Sequence, residues 1–159
     1  MPKISKTNAM RMLDRAKIKY EVKEYLYEED NLSGVHIADE NHIPVNQLFK
    51  TILLKGDKSG YLVACLEADK EIDLKKISKL SNNKSTELVP VKDLEKITGY
   101  IRGGCSPIGM KKVFPTFSTL SMADNEIIYV SAGQRGLQIV INPKDLISFC
   151  HIELGDISF

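Results

Sequence analysis

The residues able to do chemistry concentrate in three short stretches. In FKTILL, residues 49–54, Lys50 stands inside a run that otherwise has the composition of a buried strand. Withdrawing an unpaired ammonium from water costs on the order of several kcal/mol even after relaxation, so the group is paired, faces solvent at a strand end, or lines a polar cleft. Two readings follow. A strand-end lysine lays its methylenes on apolar surface and carries its charge out to water; a cleft lysine meets an anionic or carbonyl oxygen. In the second stretch, GYIRGGCSPIGMKK at 99–112, Gly103 and Gly104 precede Ser106 and Pro107, and Gly109 leads into Lys111 and Lys112. Glycines admit positive φ and close approach, proline fixes a turn, and successive backbone N–H groups can form an anion-binding concavity. The same composition also builds plain structural loops. The third stretch, SAGQRG at 131–136, holds Arg135 in a glycine-framed turn, which is either a phosphate contact or an ordinary hairpin turn.

Other chemistries find no support. His36, His42 and His151 lack zinc-ligand spacing with the cysteines, and H-E-x-x-H is missing, so neither a metal nor a cofactor is expected. The dinucleotide fingerprint and the phosphate-loop motif are likewise missing from strand-to-helix junctions. Cys65 and Cys150 read as small core residues. Cys105 sits among glycines near basic residues, where a lowered pKa would make it a nucleophile, yet no histidine or acid can be placed beside it. Three widely spaced cysteines fit reduced thiols better than a disulfide framework.

The elements that must position these residues can be read from pattern and punctuation. Ser5 or Thr7 can cap a first helix in which Ala9, Leu13 and Ala16 share a face beside Met12, ending near Lys17. Tyr20, Val22 and Tyr25 suggest a strand. Ser33 precedes a short helix over Val35 to Asn41, and Pro44 opens a brief helical turn. Phe49 to Leu54 and Tyr61 to Leu66, separated by GDKSG, form a hairpin of buried strands. Asp73 caps a helix carrying Leu74, Ile77 and Leu80, and Pro90 opens another with Val91, Leu94 and Ile97, both faces pointing inward. Strands follow at Val113 to Phe117, Ile127 to Ser131 and Leu137 to Ile141, and Asn142-Pro143 starts a final helix through Leu146 and Cys150. Adjacent strand pairs with helices inserted between them imply a mixed α/β (α+β) fold with a largely antiparallel sheet.

Composition bounds the rest. The chain has 159 residues, 22 basic and 21 acidic, with no repeat, linker or low-complexity tract, so residues 1–159 read as a single domain. Near-balanced charge leaves no global field to attract nucleic acid, and any RNA contact must be local. No stretch nears the roughly 20 apolar residues of a membrane span, and the start MPKISKTNAMRMLDRAK lacks the apolar run of a secretion signal. A cytoplasmic protein without a membrane partner is expected.

In order along the chain, FKTILL, IDLKKISK, TGYIRGGCSPIGMKK and IYVSAGQRGLQI resemble the YbaK/EbsC family of prolyl-tRNA editing proteins. The third block is the most specific, with Gly103, Gly104, Ser106, Pro107, Gly109, Lys111 and Lys112 matching the family pattern. The resemblance implies a barrel-like sheet surrounded by helices, in a free-standing enzyme. That enzyme would remove cysteine from mischarged Cys-tRNA(Pro), or from Cys-tRNA(Cys), without a metal or a Ser/His/Asp triad. It implies the tRNA acceptor end as substrate and prolyl-tRNA synthetase as the partner that supplies tRNA specificity. Lys50 corresponds to the family's strand lysine, and residues 103 to 109 to its GxxxPxG loop, so that Lys50, Gly103, Gly104 and Gly109 would be catalytic. Tyr25, Thr51, Ser106, Pro107 and Arg135 would line or border the pocket. Where many relatives carry an acidic residue after the turn, this chain has Gln138. Removal of another amino acid such as alanine, or binding of tRNA ends or nucleotides without catalysis, stand as alternatives.

Overall fold

The computed structural model describes residues 5–159; residues 1–4, part of the start read above for a secretion signal, lie outside the described residues. Helix α1, Asn8–Arg15, is capped by Thr7, whose hydroxyl accepts from the Met10 N–H at 3.2 Å. Its buried face is Ala9, Met10 and Leu13, whereas Ala16 is exposed, because the chain leaves the helix there and turns at Lys17 with φ 61°. Strand β1, Tyr20–Glu24, stops one residue before Tyr25. Helix α2, Gly34–Glu40, is capped by the Ser33 hydroxyl, which accepts from the His36 N–H. A 3-10 turn follows over Val45–Gln47.

The expected hairpin is β2, Phe49–Gly56, and β3, Gly60–Glu67, antiparallel with Lys50 opposite Leu66. Asp73 caps α3, Leu74–Leu80, accepting from two N–H groups of the first turn. Strand β4, Thr86–Leu88, then adds antiparallel to β2. Helix α4, Val91–Thr98, follows Pro90. Only part of its apolar face turns inward: Leu94 and Ile97 pack on the core, while Val91 is exposed. Strand β5 runs over Thr116–Thr119 rather than from Val113, which is 96% exposed, because pairing begins where Thr116 meets Val63 in a parallel ladder. β6, Ile128–Ser131, and β7, Leu137–Ile141, form the second hairpin. Asn142 caps α5, Pro143–Cys150, with proline in its first turn, and the chain closes with β8, Glu153–Gly155, parallel to β5.

Two sheets result, of order β4-β2-β3-β5-β8 and β1-β7-β6. The fold is α+β, and most strand pairs are antiparallel. The ladder does not close into a barrel. The sheets instead share one core, with Phe49, Leu53, Val63 and Cys65 of the larger packed in the same cluster as Val130, Leu137, Ile139 and Ile141 of the smaller. A parallel bridge, Leu48 to Tyr129, joins them at one edge. Among the described residues no helix is long and apolar enough to cross a membrane.

Candidate functional site

Where β2 begins, beside that bridge, the sheets part around a cleft of about 600 Å³ lined by Tyr25, Lys50, Thr51, Arg102, Gly103 and Gln138, among others. Lys50 is half-buried, and its Nζ donates to the Ala68 carbonyl at 3.4 Å. Ala68 is itself fixed by its N–H to the Leu48 carbonyl at 2.8 Å. Helix α2 starts directly against this point because Gly34 has no side chain: a Cβ there would lie 2.8 Å from the Ala68 Cβ. Desolvation holds the Lys50 pKa below the ordinary lysine value, while Glu71 and Asp69 pull the other way. Of the two readings of this lysine, the geometry is that of a cleft lysine. Thr51 beside it approaches the Cys65 sulfur at 3.9 Å.

The glycine-rich stretch meets the cleft at Arg102, Gly103 and Cys105. Gly103 lines it with φ 84°, a backbone state that disfavours any side chain, and a Cβ there would sit 3.3 Å from the Leu32 Cδ1 and the Arg135 Nε. Its carbonyl accepts from the Tyr25 hydroxyl at 3.3 Å, and burial pushes that phenol pKa up, so Tyr25 stays a neutral donor that ties the loop to the segment following β1. Gly104 lies behind Gly103. Its N–H donates to the Ile101 carbonyl at 3.0 Å, and a Cβ there would lie 3.1 Å from the Gln134 Cα. Arg135 makes the matching contact, donating from Nε to the Arg102 carbonyl at 2.8 Å, so the 131–136 turn and the glycine loop are clamped together.

Gly104, Ser106, Pro107 and Gly109 shape the loop without lining the cleft. Ser106 is fully buried, and its hydroxyl accepts from the Ile108 N–H. Pro107 and Gly109 line a separate cavity of about 280 Å³ with Met12, Phe114 and Cys150. Gly109, at φ 80°, is packed against the Tyr100 hydroxyl, and its carbonyl accepts from Asn8 at 3.3 Å. Lys112 borders that second cavity, and Lys111 donates to the Lys96 carbonyl.

Cys105 lines the cleft, but burial pushes its thiol up to about 12 against a small opposing pull from Thr98. It is a protonated thiol at neutral pH, not an activated one. Among the described residues one His/carboxylate set, Glu28 before α2 with His36 and Glu40 on it, gathers its ligand atoms within 4.8 Å, and none of the three is in the cleft lining. Cleft residues not foreseen include Arg102, Ser131, Leu88 at the end of β4 and Val91 at the start of α4. Arg102 stands next to the paired glycines, which was a usable signal; the others carry none.

The cleft therefore offers one desolvated ammonium, a rigid glycine backbone, a neutral phenol and apolar walls. Such a set can hold and polarise a carbonyl, and among the described residues of its lining no nucleophile has a base hydrogen-bonded to it.

The family model for the aminoacyl-tRNA editing domain matches residues 33–149. EbsC of Enterococcus faecalis, which bears the provisional name of a Cys-tRNA(Pro)/Cys-tRNA(Cys) deacylase, is 44% identical over 153 residues, covering 96% of this chain and 93% of its own. The proline–tRNA ligase of Fervidobacterium nodosum is 26% identical over 102 residues, and the match spans 18% of that ligase. A crystal structure described provisionally as a trans-editing enzyme for prolyl-tRNA synthetase superposes with a TM-score of 0.79 at 16% identity over 99% of each chain.

Proposed function

This chain belongs to the aminoacyl-tRNA editing family, and on that footing we propose that it is a deacylase that removes cysteine from mischarged Cys-tRNA(Pro), and from Cys-tRNA(Cys). The observation that carries the proposal is Lys50, a half-buried cation in a cleft that Gly103 also lines. An aminoacyl ester is already activated, so positioning and stabilisation of the carbonyl oxygen suffice to hydrolyse it. The Lys50 ammonium draws charge onto that oxygen, Gly103 admits the ester against bare backbone, and Tyr25 holds the loop in place. Thr51 borders the ester, and Arg102, clamped by Arg135, faces the acceptor-end phosphates.

Attack comes from water or from the thiol of the cysteinyl group, which at an ordinary pKa near 8.5 is a few per cent thiolate at neutrality. In the second route the substrate sulfur forms a bond to the carbonyl carbon, the ester C–O bond breaks, and the ribose oxygen leaves with the proton that the thiol released. The buried state of Cys105 supports a reaction without a protein nucleophile. Prolyl-tRNA synthetase would supply selection among tRNAs, since the cleft reads the aminoacyl end.

The test is single-turnover deacylation of a panel of mischarged tRNAs by the protein and by Lys50→Ala. Cys-tRNA(Pro) should be the preferred substrate, and Lys50→Ala should lower its rate by on the order of 10²–10³, the usual effect of deleting one oxyanion donor. Near-normal turnover by the variant sinks the proposed site. Binding without accelerated deacylation would make the protein a tRNA-end binder, and preference for Ala-tRNA(Pro) would change the substrate.

A further inference from the structure

Gln138 is a polar side chain of the cleft with no part in the chemistry above. It lies on β7, opposite Ser131 of β6 and Lys23 of β1, and is 4% exposed. Its Oε1 has no hydrogen-bond partner among the described residues. A buried acceptor left unmade is destabilising, and folded proteins rarely keep one unless something other than the protein satisfies it.

The depth of Gln138 narrows what that something is. Lys50 is half-buried whereas Gln138 is almost wholly enclosed, so a ligand that reaches both puts its innermost part against the amide. For an aminoacyl ester that part is the amino acid, since ribose and phosphates must remain toward the open side. An acceptor requires a donor, and the strong donor of an aminoacyl group is its α-amino nitrogen; a thiol donates weakly. Lys50 carries only donors, and the Thr51 hydroxyl already lies against Cys65.

On the deacylase reading given above, we propose that Gln138 is a specificity-determining residue that recognises the α-amino group of the aminoacyl ester through its Oε1. As a neutral acceptor it takes an N–H from the amine without adding a carboxylate to the cleft that Lys50 lines.

The experiment compares cysteinyl-tRNA(Pro) with 3-mercaptopropionyl-tRNA(Pro), which keeps the thiol and replaces the amine with hydrogen. Each single-turnover rate is divided by the spontaneous hydrolysis rate of the same ester, which removes the inductive effect of the amine. The protein should prefer the amine-bearing ester by about tenfold or more, as expected for a buried hydrogen bond to a charged or strongly polar donor. Gln138→Met, close in shape and without the acceptor, should treat the two esters within about twofold and lose rate only on the cysteinyl one. Gln138→Glu, which retains an acceptor, should keep the preference. Equal loss on both esters in Gln138→Met would mean that the amide acts on the carbonyl or on packing, and overturns the assignment. So does a preference below about twofold in the unmodified protein, an arm that stands even if Gln138→Met fails to fold. Failure to accelerate either ester would instead remove the deacylase reading itself.

Discussion

At the scale of single residues, the cleft is lined by a half-buried cation, Lys50, and by a buried thiol, Cys105, whose pKa burial raises. If the Lys50 ammonium polarises the ester, the enzymatic rate in excess of spontaneous hydrolysis should fall as pH rises through the Lys50 pKa. Desolvation sets that value below lysine's ordinary one, so the alkaline limb should come early. Stability moves the other way. Between the folded and unfolded pKa values the unfolded chain binds more protons at this lysine, so its contribution to stability rises with pH across that window. A Lys50→Arg variant that retains activity should lack the limb, since guanidinium does not titrate there, and pH–rate profiles of the two proteins check this. Cys105→Ala should retain activity within a few-fold by the same assay, because burial keeps the thiol protonated. A drop of several orders of magnitude would make Cys105 the nucleophile after all.

At the scale of elements, the glycine loop can be tested against an internal control. Gly60 closes the β2–β3 hairpin at φ 76° with nothing within 4 Å of a Cβ, whereas Gly103 adopts φ 84° against Leu32 and Arg135. Both Gly→Ala changes force an L-residue into the left-handed region and should cost about 1–2 kcal/mol. Only Gly103→Ala should also lower deacylation, by at least about tenfold; equal activity in the two variants would disconnect the loop from the chemistry. The same loop shows how far sequence reading reaches. Lys50 and Gly103 were legible because a charge in an apolar run and paired glycines each violate a local rule. Gly104, Ser106, Pro107 and Gly109 belonged to the same motif, but the structure gives them the work of shaping the loop, through contacts with Gln134, Ile108, Tyr100 and Asn8 that no local pattern announces. The strands missed or misplaced have the same cause. β4 and β8 are three residues each and exist only through partners distant in the chain, and β5 starts at Thr116 because Val63 lies opposite, not because of its own alternation.

At the scale of the whole molecule, the site is assembled from segments between Tyr25 and Gln138, and Tyr25 precedes the stretch that matches the family model, so the N-terminal strand region belongs to the working unit. Charge is nearly balanced over this body, 22 basic residues against 21 acidic. With charge so balanced, the proposed RNA substrate would be held by a few local contacts and not by a broad field. Arg102 lines the cleft, and Arg135 is fastened to its carbonyl, while Lys111 and Lys112 lie away from the cleft lining. The acceptor end of tRNA is single-stranded, and each phosphate contact to a single strand contributes about −0.7 to the slope of log affinity against log salt. Two arginine contacts therefore give a slope of roughly −1.4, and one or two further contacts to the acceptor stem would bring it to about −3. Equilibrium binding of Cys-tRNA(Pro) to a deacylation-deficient Lys50→Ala protein across a salt series measures it, and Arg102→Ala in that background should make the slope shallower by about 0.7. A flat response would remove phosphate contacts, and with them the RNA substrate, whereas a slope far steeper than about −3 would require a basic surface that this balance of charge does not provide.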